Sequence, residues 1–154
     1  MRFLKIGLGV IAVMAVVVAL LAPIGPLPGF IIGGTPATPP ATWPDTSKVH
    51  EIKLKVPGTL PRVVIIWVIE YAGELYVAGS SDSGWVTRIG NASPVQMRLG
   101  DNTYNLTAET VTANQQAILT AYVDKYRPDY PDIVGGFPSV EEAADAFGLF
   151  HLKR

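Results

Sequence analysis

Between Lys5 and Asp45 the chain carries no ionisable side chain, and that gap dominates what the sequence can become. It opens with Ile6-Gly-Leu-Gly-Val-Ile-Ala-Val-Met-Ala-Val-Val-Val-Ala-Leu-Leu-Ala22, seventeen apolar or glycine residues in a row. As a helix this run spans about 26 Å, slightly short of a hydrocarbon core of about 30 Å. Phe3, Leu4 and Ile24 extend the apolar surface at either end. Arg2 and Lys5 supply the positive flank shared by anchors and signal peptides. A small-x-small cleavage site is poorly met, because Leu20 and Val17 stand where small residues are needed. Residues 1–24 are therefore expected to form one transmembrane helix, with lipid as its partner. The positive-inside rule then places residues beyond 25 outside the cytoplasm. The location that follows is single-pass in an inner or plasma membrane, with an extracytoplasmic C-terminal domain.

Residues 25–46 are rich in proline and glycine. Proline removes backbone donors and glycine costs backbone entropy, so a linker with neither helix nor sheet is expected. Phe30, Ile31, Ile32 and Trp43 are odd in such a segment, and suit either an interface or the cover of an apolar patch. Residues 47–154 remain for one folded domain, about 108 residues and enough to bury a core. There is no cysteine, hence no disulfide framework or thiolate chemistry. Twelve basic against thirteen acidic residues, with no basic stripe, point to no nucleic-acid partner.

Within the domain, Val49 to Val56 alternates, with Ile52, Leu54 and Val56 on one face and Glu51, Lys53 and Lys55 on the other. Arg62 to Glu70 is apolar inside and too β-branched for a comfortable helix. Tyr71-Ala-Gly-Glu74 turns into a strand over Leu75 to Gly79. Pro94 to Leu99 and Thr103 to Val111 form a hairpin about Gly100-Asp-Asn102, and Phe147 to Lys153 closes the sheet. Ser81, Asp82 and Ser83 are candidate N-caps for a short helix with Trp85, Val86 and Ile89 on one face. Thr112 to Gln115 and Ser139 to Glu142 both have capping-box spacing. Ile118, Leu119, Tyr122, Val123 and Tyr126 lie at core spacing on the helix after the first. Five or six strands with short helices make a mainly β, small antiparallel barrel.

The motifs of several enzyme classes are missing. His50 and His151, the only two histidines, lie on strands outside any metal-ligand spacing. Ser80, Ser81 and Ser83 have no nucleophile elbow, and no phosphate-binding glycine loop of the usual kinds is present. No metal site is expected, and no catalytic side chain can be named. What remains is an anion-binding grouping. The amides after Ser81 and Ser83 open the helix, Arg88 lies one turn along it, and Lys55 and Arg62 flank the turn Val56-Pro-Gly-Thr-Leu-Pro-Arg62. An ordinary capped helix with solvated arginines accounts for the same residues.

Glu74-Leu-Tyr-Val-Ala-Gly-Ser-Ser-Asp-Ser-Gly-Trp-Val-Thr-Arg88, followed by Pro94-Val-Gln-Met-Arg-Leu-Gly-Asp-Asn-Thr-Tyr-Asn-Leu-Thr-Ala-Glu109, resembles the deazaflavin-dependent nitroreductase family. That family belongs to the FMN-binding split-barrel, pyridoxamine-phosphate-oxidase-like group. Lys125-Tyr126 and the closing strand fit the same pattern, which covers residues 49–154. The resemblance implies a six-stranded antiparallel split β-barrel holding FMN or deazaflavin, often at a homodimer interface. Carried onto this chain, the cofactor-binding positions are Lys55, Gly58, Thr59 and Arg62, then Ser80, Ser81, Trp85 and Arg88. Trp67 matches a position that tends to face the cofactor ring. The first loop departs from the family's small and basic pattern: Lys55-Val-Pro-Gly-Thr-Leu-Pro-Arg62 lacks the middle basic residue and gains two prolines. A polyanionic deazaflavin tail then finds fewer cationic partners, which favours FMN.

Two functions stay open: a membrane-anchored flavin or deazaflavin oxidoreductase acting on a quinone or nitro-type acceptor, and a non-catalytic membrane-attached split-barrel module. A homodimer is expected on independent grounds. Val63, Ile65, Trp67 and Ile69 make one apolar face of their strand and Val64, Ile66 and Val68 the other, while a small barrel has only one interior.

Overall fold

The computed structural model describes residues 13, 14, 17, 23, 27–60, 62–139, 142, 143 and 146–154. Eight strands form one sheet: β1 (Thr35–Ala37), β2 (Glu51–Val56), β3 (Arg62–Trp67), β4 (Ile69–Tyr71), β5 (Glu74–Ser80), β6 (Ala92–Leu99), β7 (Asn102–Thr110) and β8 (Phe147–Lys153). Three short helices are described, α1 (Gly84–Ile89), α2 (Gln115–Tyr126) and α3 (Pro131–Gly135). Neighbours run β3-β2-β6-β7-β8-β5-β4, antiparallel throughout, with β1 added to β7 in parallel.

β3 and β4 stand at opposite ends of that order, yet only Val68 separates them in the chain. They are two halves of one bent strand, and the bend joins the sheet's two ends. β3 pairs with β2 and β4 with β5. Val68 is fully buried and leaves the ladder, so its backbone groups need other partners. The chain finds them on α2. The Val68 amide donates to the Tyr126 hydroxyl at 2.9 Å, and its carbonyl accepts from Lys125 Nζ at 2.7 Å. The Tyr126 hydrogen faces the carbonyls of His50 at 2.6 Å and Val68 at 2.7 Å. Lys125 Nζ also donates to the carbonyls of Thr46 and Val49, at 2.9 and 2.8 Å. Burial pushes the Lys125 ammonium below the usual lysine range, against the opposing pull of Glu70 and Asp45.

Inside the barrel, Ile52, Leu54 and Val56 meet Leu75, Val77, Val95, Met97, Leu106, Phe150 and Leu152, as period-two alternation requires. A second apolar cluster lies between the sheet and α2, where Ile118, Leu119, Tyr122 and Tyr126 pack on Ile69 and Leu149. The Thr112–Gln115 capping box does not form. Asn114 caps α2 in a left-handed conformation without a side-chain bond, and Gln115 donates instead to the Val111 carbonyl at 2.6 Å. The Ser139–Glu142 box does form: Ser139 N donates to the Glu142 carboxylate at 3.2 Å and Glu142 N to Ser139 Oγ at 3.4 Å.

The expected architecture is corrected on three counts. Eight strands are formed among the described residues rather than six, because the bend at Val68 divides one and residues 35–37 add another. The sheet is not wholly antiparallel, because β8 pairs with β7 only from Thr107 onward and β1 takes the same edge at Asn102–Tyr104. Third, no helix among the described residues is long and apolar enough to cross a membrane. Six, twelve and five residues of helix reach about 9, 18 and 8 Å against a hydrocarbon core of about 30 Å. No described helix supplies the transmembrane anchor, the lipid contact or the single-pass inner- or plasma-membrane location that the sequence pointed to. Residues 6–22, on which that expectation rested, lie outside the described residues except for Val13, Met14 and Val17.

The proline-rich segment expected as a linker is a strap on the barrel from Leu27 onward. Gly29 exchanges two backbone hydrogen bonds with Val63, at 2.9 and 2.7 Å, and Ile32 is buried. Trp43 enters the main core, edge-on to Tyr104 at 5.3 Å, with the Arg154 guanidinium over its ring. Arg154 also donates to the carbonyls of Pro40 and Ala41, at 3.0 and 2.5 Å. On the outer face of β3, which prompted the homodimer expectation, Val63 is buried, Ile65 is half-buried, and Trp67 stacks on Tyr126 with ring centroids 4.2 Å apart. The strap pairs with the edge of β3 at Val63.

Trp43→Ala is expected to lower the unfolding free energy by about 3–5 kcal/mol in urea titration. A loss under about 1 kcal/mol would return residues 27–46 to the role of a spacer. Tyr126→Phe, which orphans the buried Val68 amide, is expected to cost about 1–3 kcal/mol.

Candidate functional site

α1 is seated by two glycines that face each other across the ladder, Gly79 on β5 and Gly148 on β8. A Cβ on Gly79 would collide with the Trp85 ring, and one on Gly148 would stand 2.5 Å from Val86 Cγ1. The missing side chains form a flat seat for Trp85 and Val86, and Trp85 packs on Phe150 with ring centroids 5.8 Å apart. With Trp85, Val86 and Ile89 buried, Arg88 emerges on the outer face of α1.

From there Arg88 turns to the loop joining β2 and β3. Its Nη1 donates to the carbonyls of Leu60 at 2.7 Å and Pro57 at 3.4 Å. It crosses so close to Gly58, whose φ is 149°, that a side chain there would displace the Arg88 guanidinium. Arg62, at the start of β3, reaches the other way: its Nη1 lies 2.8 Å from where a Cβ on Gly84 would stand, at the beginning of α1. The two arginines thus cross between α1 and the loop. Both line one groove of about 340 Å³, together with Pro28, Gly29, Phe30 and Leu60. Arg62 Nε and Ser83 Oγ are buried with no hydrogen-bond partner among the described residues.

The nine positions carried over from the family resemblance separate here. Arg62 and Arg88 are brought together, and Gly58 makes room for Arg88. Thr59 is exposed in the loop. Lys55 points out from β2, between Val63 and Gln96, into a different groove of about 540 Å³ lined also by Gln96, Asn105, Lys153 and Arg154. In that groove Lys153 pairs with Glu109 at 3.3 Å, and Arg154 pairs with Glu74. Ser80 Oγ donates to Asp82 Oδ1 at 2.6 Å and Ser81 N to the Ala146 carbonyl at 2.9 Å, so both are engaged at the turn into α1. Trp85 is core. Trp67 lines neither groove; it lies among Tyr122, Tyr126, Tyr130 and Phe137 on the α2 side of the sheet, its ring nearly parallel to that of Tyr126 at 8°.

Sequence reasoning missed Phe30 and Leu60 as groove residues. The signal was present in Phe30-Ile31-Ile32, an apolar triplet within a proline- and glycine-rich segment. The histidines behave as structural groups: His50 bridges Asp129 at 3.1 Å and Tyr130 at 3.1 Å, and His151 contacts Glu74 at 3.3 Å. No group of three His, Cys, Asp or Glu among the described residues could hold a metal ion.

By sequence, no family model and no curated protein matches the chain. Solved structures do. A FAD- and haem-binding protein from Mycobacterium smegmatis superimposes with a TM-score of 0.51 at 14% identity, covering 70% of this chain and 62% of that one. HutZ, the haem storage protein of Vibrio cholerae, gives 0.48 at 12% identity over 70% and 83% of the two chains. A NimC/NimA-family protein from Clostridium acetobutylicum gives 0.47 at 17% identity over 67% and 73%. The chain is a split barrel, similar in fold to the Mycobacterium smegmatis protein, and the similarity extends to the fold alone.

The two α1 side chains should separate in stability measurements. Trp85→Ala is expected to cost about 3–5 kcal/mol, since the Gly79–Gly148 seat cannot collapse onto a smaller residue. Arg88→Ala removes hydrogen bonds at an exposed loop and is expected to cost about 0.5–1.5 kcal/mol. Urea titration of both variants checks the ordering.

Proposed function

We propose that this split barrel binds a phosphorylated flavin-type cofactor, with the phosphate between Arg62 and Arg88. The observation that carries the reading is their convergence on one groove, combined with the buried, unpartnered Nε of Arg62. A buried guanidinium nitrogen without an acceptor is costly unless something accepts from it, and a phosphate oxygen is a strong acceptor. Arg88 spends Nη1 on the loop carbonyls, while its remaining N–H groups stay available for a second oxygen.

The resemblance to deazaflavin-dependent nitroreductases points to the same segments. With two arginines at the groove and the loop's middle basic residue absent, a single phosphate monoester such as FMN suits the charge better than a polyanionic tail. A bound flavin supplies the electron or hydride transfer itself. The chain's own part is to hold the phosphate and to fix the loop between β2 and β3 through Arg88. Trp67 lies away from this groove, with its ring stacked on Tyr126.

Titration of the full chain with FMN, read by flavin fluorescence quenching, tests the reading. Saturable binding at about 10 µM or tighter is expected, and Arg62→Ala should weaken it about tenfold to a hundredfold. Absence of binding at about 100 µM would overturn it.

A further inference from the structure

The arginines do not account for the groove's apolar wall. Phe30 is 45% exposed and Leu60 64% exposed, and both line the groove beside Arg62 and Arg88. Neither belongs to a loose segment. Phe30 and Ile31 are bracketed by tethers: the paired Gly29–Val63 bonds on one side, the buried Ile32 side chain on the other. Beyond Ile32, Thr103 Oγ1 donates to the Gly33 carbonyl at 2.6 Å and Arg98 Nη1 to the Ile32 carbonyl at 3.4 Å. Gly33 and Gly34, with φ of 67° and 85°, turn the strap away immediately afterwards. Leu60 is held through its own carbonyl by Arg88. Two large apolar side chains are thus presented to water at fixed backbone positions, beside two guanidinium groups.

We infer that Phe30 and Leu60 form the carbon-binding half of this site, and that its ligand is an organic phosphate monoester whose carbon skeleton lies on these two side chains. The inference rests on the phosphate-binding reading of Arg62 and Arg88. A free phosphate ion would satisfy the arginines and leave both apolar residues in water. An ester removes apolar area from water on the protein and on itself, and affinity rises with the area removed. Phe30 comes from the strap, so the site is complete within one chain only because the strap is tied to β3 at Gly29 and to β6 and β7 at Ile32 and Gly33. The strap is then a specificity element: it separates esters from the free ion.

Calorimetry on the full chain, with FMN as the ester and inorganic phosphate read by competition against it, tests this. FMN should bind at least about tenfold more tightly than inorganic phosphate. Phe30→Ala combined with Leu60→Ser should weaken FMN by about tenfold and leave phosphate competition unchanged. Arg62→Ala should weaken both ligands. Phe30 and Leu60 are exposed, so an unchanged melting temperature is expected and serves as the folding control. If the double variant binds FMN as the wild type does while Arg62→Ala weakens it, the carbon-binding role is wrong and the phosphate site stands. If Arg62→Ala changes neither ligand, the phosphate site itself is wrong, and this inference goes with it.

Discussion

The barrel depends on how one buried residue that leaves the ladder is satisfied. Val68 bends a strand so that its first half pairs with β2 and its second with β5, which joins the two ends of the sheet. A bend of that kind in the core strands a backbone amide and a carbonyl. In this protein Lys125 and Tyr126, adjacent residues at the end of α2, take them up. The same two side chains reach the carbonyls of Thr46, Val49 and His50, so the end of the strap and the entry to β2 are fixed by the groups that stabilise the bend. An aromatic layer built on Trp67 and Tyr126 then secures α2 to the sheet. Closure of the barrel, placement of the helix and anchorage of the strap therefore share one set of polar contacts.

The candidate site is made at the other end of β3. Its geometry follows from absences as much as from side chains: Gly79 and Gly148 let α1 lie flat on the sheet, and Gly58 lets Arg88 cross the loop. Because α1 is seated through Trp85, the direction of Arg88 is set by core packing. Arg62 is fixed by the first pair of β3, opposite Val56. Its neighbour Val63 bonds to the strap. A groove with two cations and two exposed apolar side chains results from three segments distant in sequence.

Much of this was legible before the fold was known, for reasons of chemistry. The alternation from Glu51 to Val56 shows its inward face because the outward face is charged. The helix of Tyr122 and Tyr126 shows its spacing because Pro128 ends it. Arg62 and Arg88 could be named together because a loop and a helix start both offer anion contacts. The break at Val68 was invisible, since an apolar run reads as a continuous strand wherever it bends. Strand β1 was hidden for a different reason: three residues beginning Thr35-Pro36 have no periodicity, and their pairing is parallel to a segment far along the chain. The aromatic neighbours of Trp67 were not legible because they lie on and beyond helices whose docking the sequence does not disclose. The long apolar run at the N-terminus pointed to a bilayer, and no described helix has the length or character for one.

Strand β1 carries a further consequence. It is joined to the sheet by edge addition, not through a hairpin, and it occupies the part of β7 that β8 leaves open. An open edge of this kind accepts any strand of suitable shape. What selects the chain's own segment is proximity along the backbone, together with Trp43, which enters the core a few residues later. Proximity acts as an effective concentration, and a neighbouring molecule's identical segment competes with it as the protein is concentrated. The strap that completes the groove is thus also the element through which two molecules of this fold could exchange parts, with Trp43 as the latch that keeps each closed on itself.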